Sequence, residues 1–99
     1  MFIINDIQWK VEFTNLHNPI LEEHLGLCDN TTKIIYLADN LKGFMLKKVL
    51  CHEIVHAAMF SYNVSLSYEQ EEIIADIIAT YGNEIIDITN KVFKKLQSI

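Results

Sequence analysis

The segment from about Leu41 to Tyr62 constrains this chain more than any other. On a helical wheel Leu46, Leu50, Ile54 and Ala57 form one apolar stripe. Met45, Val49 and Met59 put further apolar residues roughly opposite, beside His52 and His56. A helix that is apolar on two sides has to be covered on both, so this one is expected to be the central element. Asp39 or Asn40 is placed to cap it. With 99 residues there is material for one modest core, since a chain of this size buries roughly 65% of its unfolded surface. The expectation is a single domain over residues 1–99.

The flanks supply the cover. Phe2 to Ile4 and Ile7 to Phe13 are β-rich around Asn5-Asp6, which predicts a hairpin or a kinked strand. Residues 14–24 read as loop. Leu25 to Cys28 and Lys33 to Ala38, separated by Asp29-Asn30-Thr31-Thr32, predict a second hairpin. Downstream, Ser67-Tyr68-Glu69-Gln70 has the form of a capping box. It should open a helix to about Tyr81 that buries Ile73, Ile74, Ile77 and Tyr81 and turns Glu69, Glu72 and Asp76 to another face. Gly82 is a suitable residue to end that helix. Asn83 can then cap a third helix to about Leu96, with the stripe Ile85, Ile88, Val92 and Leu96. The order ββββααα predicts an α+β fold: antiparallel N-terminal hairpins on the central helix, followed by two further helices.

Charge and cysteine usage exclude several function classes. The eight basic residues are all Lys, against thirteen acids, for a net charge of −5. A protein that tracks phosphates has the opposite balance, so nucleic acid is not the expected partner. No apolar run reaches membrane-spanning length and the N-terminus lacks a basic start, so neither a membrane nor a secretory route is expected. A cytoplasmic location, with Cys28 and Cys51 as reduced thiols, follows.

Within the central helix, residues 52–56 read His-Glu-Ile-Val-His, an H-E-x-x-H motif. Residues four apart lie one above the other on a helix, so both imidazoles can reach one ion, and two nitrogens begin a tetrahedral zinc site. Glu53 lies about 100° further round, too far to be a third ligand, but placed to take a proton from a water. Catalytic zinc wants three protein ligands and an open position. No His follows His56, and Met59 and Tyr62 stand where the longer H-E-x-x-H-x-x-G-x-x-H motif needs Gly and His. Carboxylates remain: Glu69, Glu71, Glu72 and Asp76. Glu72 is preferred because it alone has an Asp four residues on, so that Asp76 can accept the outer N–H of a ligand histidine. Ala75 and Ala79 would let the two helices approach. Glu69 and Glu71, in the first helical turn, read as solvated acids favoured there by the helix dipole. His17 and His24 read as surface histidines, Cys51 as a structural thiol, and Trp9 as either core or a docking aromatic.

His52-Glu53-x-x-His56 followed by Glu72-Ile-Ile-Ala75-Asp76 resembles the gluzincin zinc peptidases, whose second signature is E-x-x-x-D. The short form, with a strand hairpin before the motif helix, is similar to the ImmA/IrrE-type metallopeptidases, especially minimal, phage-borne or minigluzincin-like members. The likeness in architecture runs from about Leu25 to Gly82. It implies a minimal zincin-like fold, one Zn²⁺ per chain on His52, His56 and Glu72, Glu53 as general base, and Asp76 behind a ligand. It further implies hydrolysis of a peptide or protein substrate, a regulatory protein among the candidates. Lys33 to Ala38 would be the edge strand over the cleft, open to strand addition by substrate. Larger gluzincins use a downstream His or Tyr to stabilise the oxyanion. The roughly seventeen residues after Gly82 contain neither, leaving Tyr62, Tyr68 or Tyr36 for that role. The alternative is a catalytically weak or inactive module that docks a protein partner through the same cleft or strand.

Overall fold

The computed structural model describes residues Met1 to Ser98. Four strands, β1 (Phe2–Ile4), β2 (Ile7–Thr14), β3 (Gly26–Asp29) and β4 (Ile34–Ala38), precede two helices, α1 (Gly43–Ser61) and α2 (Tyr68–Gln97). The architecture is α+β. Asn5 and Asp6, at φ 49° and 62°, make the two-residue turn between β1 and β2, setting Ile4 opposite Ile7. Asn and Asp tolerate this left-handed region better than other side chains. The Asp29 carboxylate accepts from the Thr31 backbone N–H and the Thr32 hydroxyl, closing the turn from β3 to β4. The loop after β2 carries a short 3-10 turn, Pro19–Leu21, capped by the Asn18 side chain.

The sheet order is β1-β2-β4-β3. It is mixed, not purely antiparallel: β2 and β4 run parallel, from Lys10 opposite Ile34 to Thr14 opposite Ala38. The intervening chain, long enough to hold β3 and the 3-10 turn, permits that crossover. β4 is therefore an interior strand, which corrects the expectation that Lys33 to Ala38 forms an edge. Its nearly unbroken apolar run, with Ile35, Leu37 and Ala38 buried, suits a strand paired on both sides. The edge on that side is β3.

The core gathers Trp9, Leu21, Ile35, Leu37, Ala38, Leu41 and Ala57, with Leu46, Leu50 and Ile54 of α1 packed against it. Trp9 is a core residue: its side chain is fully buried and its indole N–H donates to Ser61 Oγ at 2.9 Å. Asn5 Nδ2 donates to the Ser61 carbonyl, tying the first turn to the end of α1. Neither Asp39 nor Asn40 caps α1. Leu41 is held in the core, and the helix begins two residues later, after extended Lys42. Gly43, at φ +55°, allows the bend into the helix.

Ser67 and Gln70 form the reciprocal capping box of α2. Gly82 does not end this helix and Asn83 starts no new one; α2 is continuous for 30 residues. An interior glycine costs about 1 kcal/mol relative to alanine, and the helix runs through it. Of the stripe expected to be buried, Ile74 is half-buried, but Ile73, Ile77, Tyr81, Ile85, Ile88, Val92 and Leu96 are exposed. α2 instead packs through small residues, with Ala75 buried and Ala79 and Gly82 half-buried. No helix among the described residues is long and apolar enough to cross a membrane.

Candidate metal centre

α1 presents His52 and His56 one turn apart, and α2 runs back along it to bring Glu71 level with His56 and Asp76 level with His52. The two Nε2 atoms face each other at 3.1 Å. Glu72 Oε1 lies 3.3 Å from Nε2 of His52 and 2.6 Å from Nε2 of His56. His52, His56 and Glu72 each offer one atom within 4.8 Å of the others. Ligand atoms 2.0–2.1 Å from a tetrahedral zinc are roughly 3.3 Å apart, so two edges of this triangle are close to that spacing and one is shorter.

The outer ring nitrogens decide what the inner ones can do. His56 Nδ1 donates to Glu71 Oε1 at 2.6 Å, and His52 Nδ1 lies 2.9 Å from Asp76 Oδ1. A neutral imidazole has one hydrogen, so a carboxylate at Nδ1 leaves a lone pair at Nε2. Two lone pairs and a carboxylate oxygen then converge on one point, an arrangement that repels itself unless a cation or protons occupy it. His56 responds accordingly. Burial lowers its pKa, but the hydrogen bond to Glu71 and the charges of Glu53, Glu72 and Glu71 outweigh that and raise it overall.

Glu53 is buried beneath β3. The Gly26 backbone approaches so closely that a Cβ there would stand 3.1 Å from Glu53 Cγ and 3.2 Å from Oε2. Burial raises the Glu53 pKa, with His52 and His56 opposing. A carboxyl whose pKa is raised by burial is a stronger base than an exposed one and is suited to accept a proton.

A cleft of about 770 Å³ opens beside these groups, walled by residues 22–28, by Met45, Val49, His52, Glu53 and His56 of α1, and by Glu71, Glu72, Asp76 and Ala79 of α2. Tyr68 lines it too, although well exposed. Tyr62 is exposed at the end of α1, outside the cleft lining, and Tyr36 packs half-buried against the core. Glu69 stays exposed.

Two residues have a place at this site that the sequence reading did not give them. Glu71 is not a solvated first-turn acid: its side chain is 13% exposed and holds His56. The signal was present, because Glu71 lies four residues before Ala75 and eight before Ala79, on the same packed row. His24 is exposed but borders the cleft, where its protonated form favours ionised Glu53. His17 lies outside the lining. Cys28, half-buried in the cleft wall, is pushed up to about 12 by burial and by Glu53, Glu71 and Asp29, so it stays a thiol. Cys51 is half-buried in a groove between the helices. Comparison with protein-family models, with curated proteins and with solved structures finds no match.

Proposed function

We propose that this chain is a zinc-dependent peptidase of minimal zincin-like architecture, of the kind its ImmA/IrrE-like and minigluzincin-like motifs imply. The observation that carries the reading is the convergence of His52 Nε2, His56 Nε2 and Glu72 Oε1, backed by two carboxylates, next to the buried carboxyl of Glu53. His52, His56 and Glu72 would hold the ion. When bound, zinc supplies Lewis acidity, polarising a substrate carbonyl and making water easier to deprotonate. Glu53 would accept the proton of the attacking water and pass it to the leaving amine, which its raised pKa favours. Asp76 and Glu71 would fix the ring orientations, and Tyr68 is the tyrosine best placed to reach a developing oxyanion.

The strand that receives a peptide is then β3, not β4. Gly26, Leu27 and Cys28 border the cleft, and β3 is paired on one side only among the described residues. An extended segment of a peptide or protein substrate could add there through main-chain hydrogen bonds, its side chains entering a cleft with Met45, Val49 and Leu27 in its wall. A cytoplasmic working place, in which both thiols stay reduced, belongs to this reading.

Purified protein should carry one zinc per chain, lost in the His52→Ala/His56→Ala variant. Glu53→Gln should retain zinc and fold but lose cleavage of an unstructured protein substrate. Cleavage by Glu53→Gln at the wild-type rate would refute the assigned base. Zinc binding without cleavage by the wild type would point to a docking module instead.

A further inference from the structure

Ala75 is the only residue of α2 that is buried, and the helix outruns its partner: 30 residues against 19 for α1. A helix of that length measures about 45 Å, and the molecule is drawn out to 55 × 30 × 27 Å. Along its side Ile78, Tyr81, Ile85, Ile88, Val92 and Leu96 are each 41–61% exposed. From Ile78 to Val92 the steps alternate three, four, three, four, the spacing of a coiled-coil seam. This line lies about 100° round the helix from the Ala75-Ala79-Gly82 row that packs on α1, so α1 does not cover it.

We propose that this seam pairs with the same seam of a second copy of the chain, the two α2 helices running antiparallel. Ile85 then sits opposite the partner's Ile88, and Tyr81 opposite the partner's Val92. In that register Glu84 lies beside the partner's Lys91 and Lys91 beside the partner's Glu84; Lys91 already pairs with Asp87 of its own helix at 2.9 Å, so each lysine would bridge two carboxylates at the flank. The next seam position, Lys95, then lies opposite the partner's Ile78, its aliphatic stem on the isoleucine and its ammonium reaching solvent. A parallel, in-register pair would instead stack Lys95 on the partner's Lys95 and set Glu84 beside Thr89, with no ion pair between the copies. The other flank carries Gly82 and Thr89, which are small, and the Thr89 hydroxyl is already satisfied by the Ile85 carbonyl.

Each protruding helix end, from about Asp87 onward, lies against the part of the partner's α2 that its own α1 supports. The six side chains expose on the order of 600 Å² per chain, the upper end for an apolar patch left open on a monomer. Complete burial of these side chains in both copies would remove roughly 1,200 Å², the lower bound for a stable interface.

Sedimentation equilibrium of the full chain through the micromolar range tests this, with circular dichroism to confirm folding of each variant. The wild type should be a dimer and Ile85→Asp a monomer. Glu84→Lys and Lys91→Glu should each weaken dimerisation roughly tenfold, and the Glu84→Lys/Lys91→Glu double variant should return to within about threefold of wild type. A monomeric wild type overturns the proposal, as does a dimer indifferent to Ile85→Asp. A double variant as weak as the single ones combined overturns the antiparallel register. The readout is molecular mass, so it stands apart from the zinc and cleavage experiments.

Discussion

Replacing Glu71 by Gln should weaken zinc binding more than replacing Asp76 by Asn, although the motif signature points to Asp76. Both carboxylates face an outer ring nitrogen, at 2.6 Å for Glu71 and 2.9 Å for Asp76. They differ in solvent: the Glu71 side chain is 13% exposed and that of Asp76 is 69%. A hydrogen bond to a charged group that is largely shielded from water contributes about 1.5–3 kcal/mol. Gln keeps the length and an acceptor oxygen but removes the charge, so Glu71→Gln should lower zinc affinity about ten- to a hundredfold. An ion pair as open to water as that of Asp76 contributes about 0.2–1 kcal/mol, so Asp76→Asn should cost no more than about fivefold. Glu69→Gln, exposed on the same helical turn, is the control and should be neutral. Zinc affinity by competition with a chelating dye, with circular dichroism on the metal-free variants, measures all three. A loss in Asp76→Asn equal to or above that in Glu71→Gln would refute the solvent-screening reasoning. A Glu71→Gln variant indistinguishable from Glu69→Gln would refute any role for the His56–Glu71 contact.

Other consequences follow from the packing and the titrating groups. Gly26→Ala places a Cβ 2.9 Å from Val49 Cγ1 and 3.1 Å from Glu53 Cγ, and should cost about 1–3 kcal/mol in chemical denaturation; an unchanged midpoint would show that β3 yields freely. Ser61→Ala strands the buried indole N–H of Trp9 and should also cost about 1–3 kcal/mol, against less than about 0.5 kcal/mol if water reaches that nitrogen. In the metal-free protein the raised pKa of His56 stabilises the fold fully below the ordinary imidazole value near 6.5, and this stabilisation is lost as pH rises through the higher folded-state value. Glu53, also raised, acts in the same sense from its ordinary value upward. Chelator-treated protein should therefore melt lower at about pH 8 than at about pH 6, while zinc affinity climbs over the same interval as protons leave the ligands. A metal-free protein that gains stability with rising pH would contradict both assignments.

The sequence by itself determined what depends on neighbours a few residues apart. His52 and His56 share a face because the helical repeat puts them there, whatever packs alongside. The Ser67–Gln70 cap, the Asn5-Asp6 turn and the Asp29 turn are likewise local, each closed by groups within three residues. The apolar Lys33 to Ala38 run announced a strand, but not that β2 would pair along it in parallel and place it inside the sheet. That depends on contacts across more than twenty residues, which local pattern does not encode. Tertiary structure alone also set the rotation of α2 about its axis. Its isoleucines form a stripe as regular as the small-residue row beside it, and hydrophobic periodicity favours the isoleucines as the buried side. The close approach that the carboxylates need at the histidines turns Ala75, Ala79 and Gly82 inward instead. That rotation brings Glu71 to His56, leaves most of the larger apolar side chains in solvent, and lets Gly82 remain within an unbroken helix.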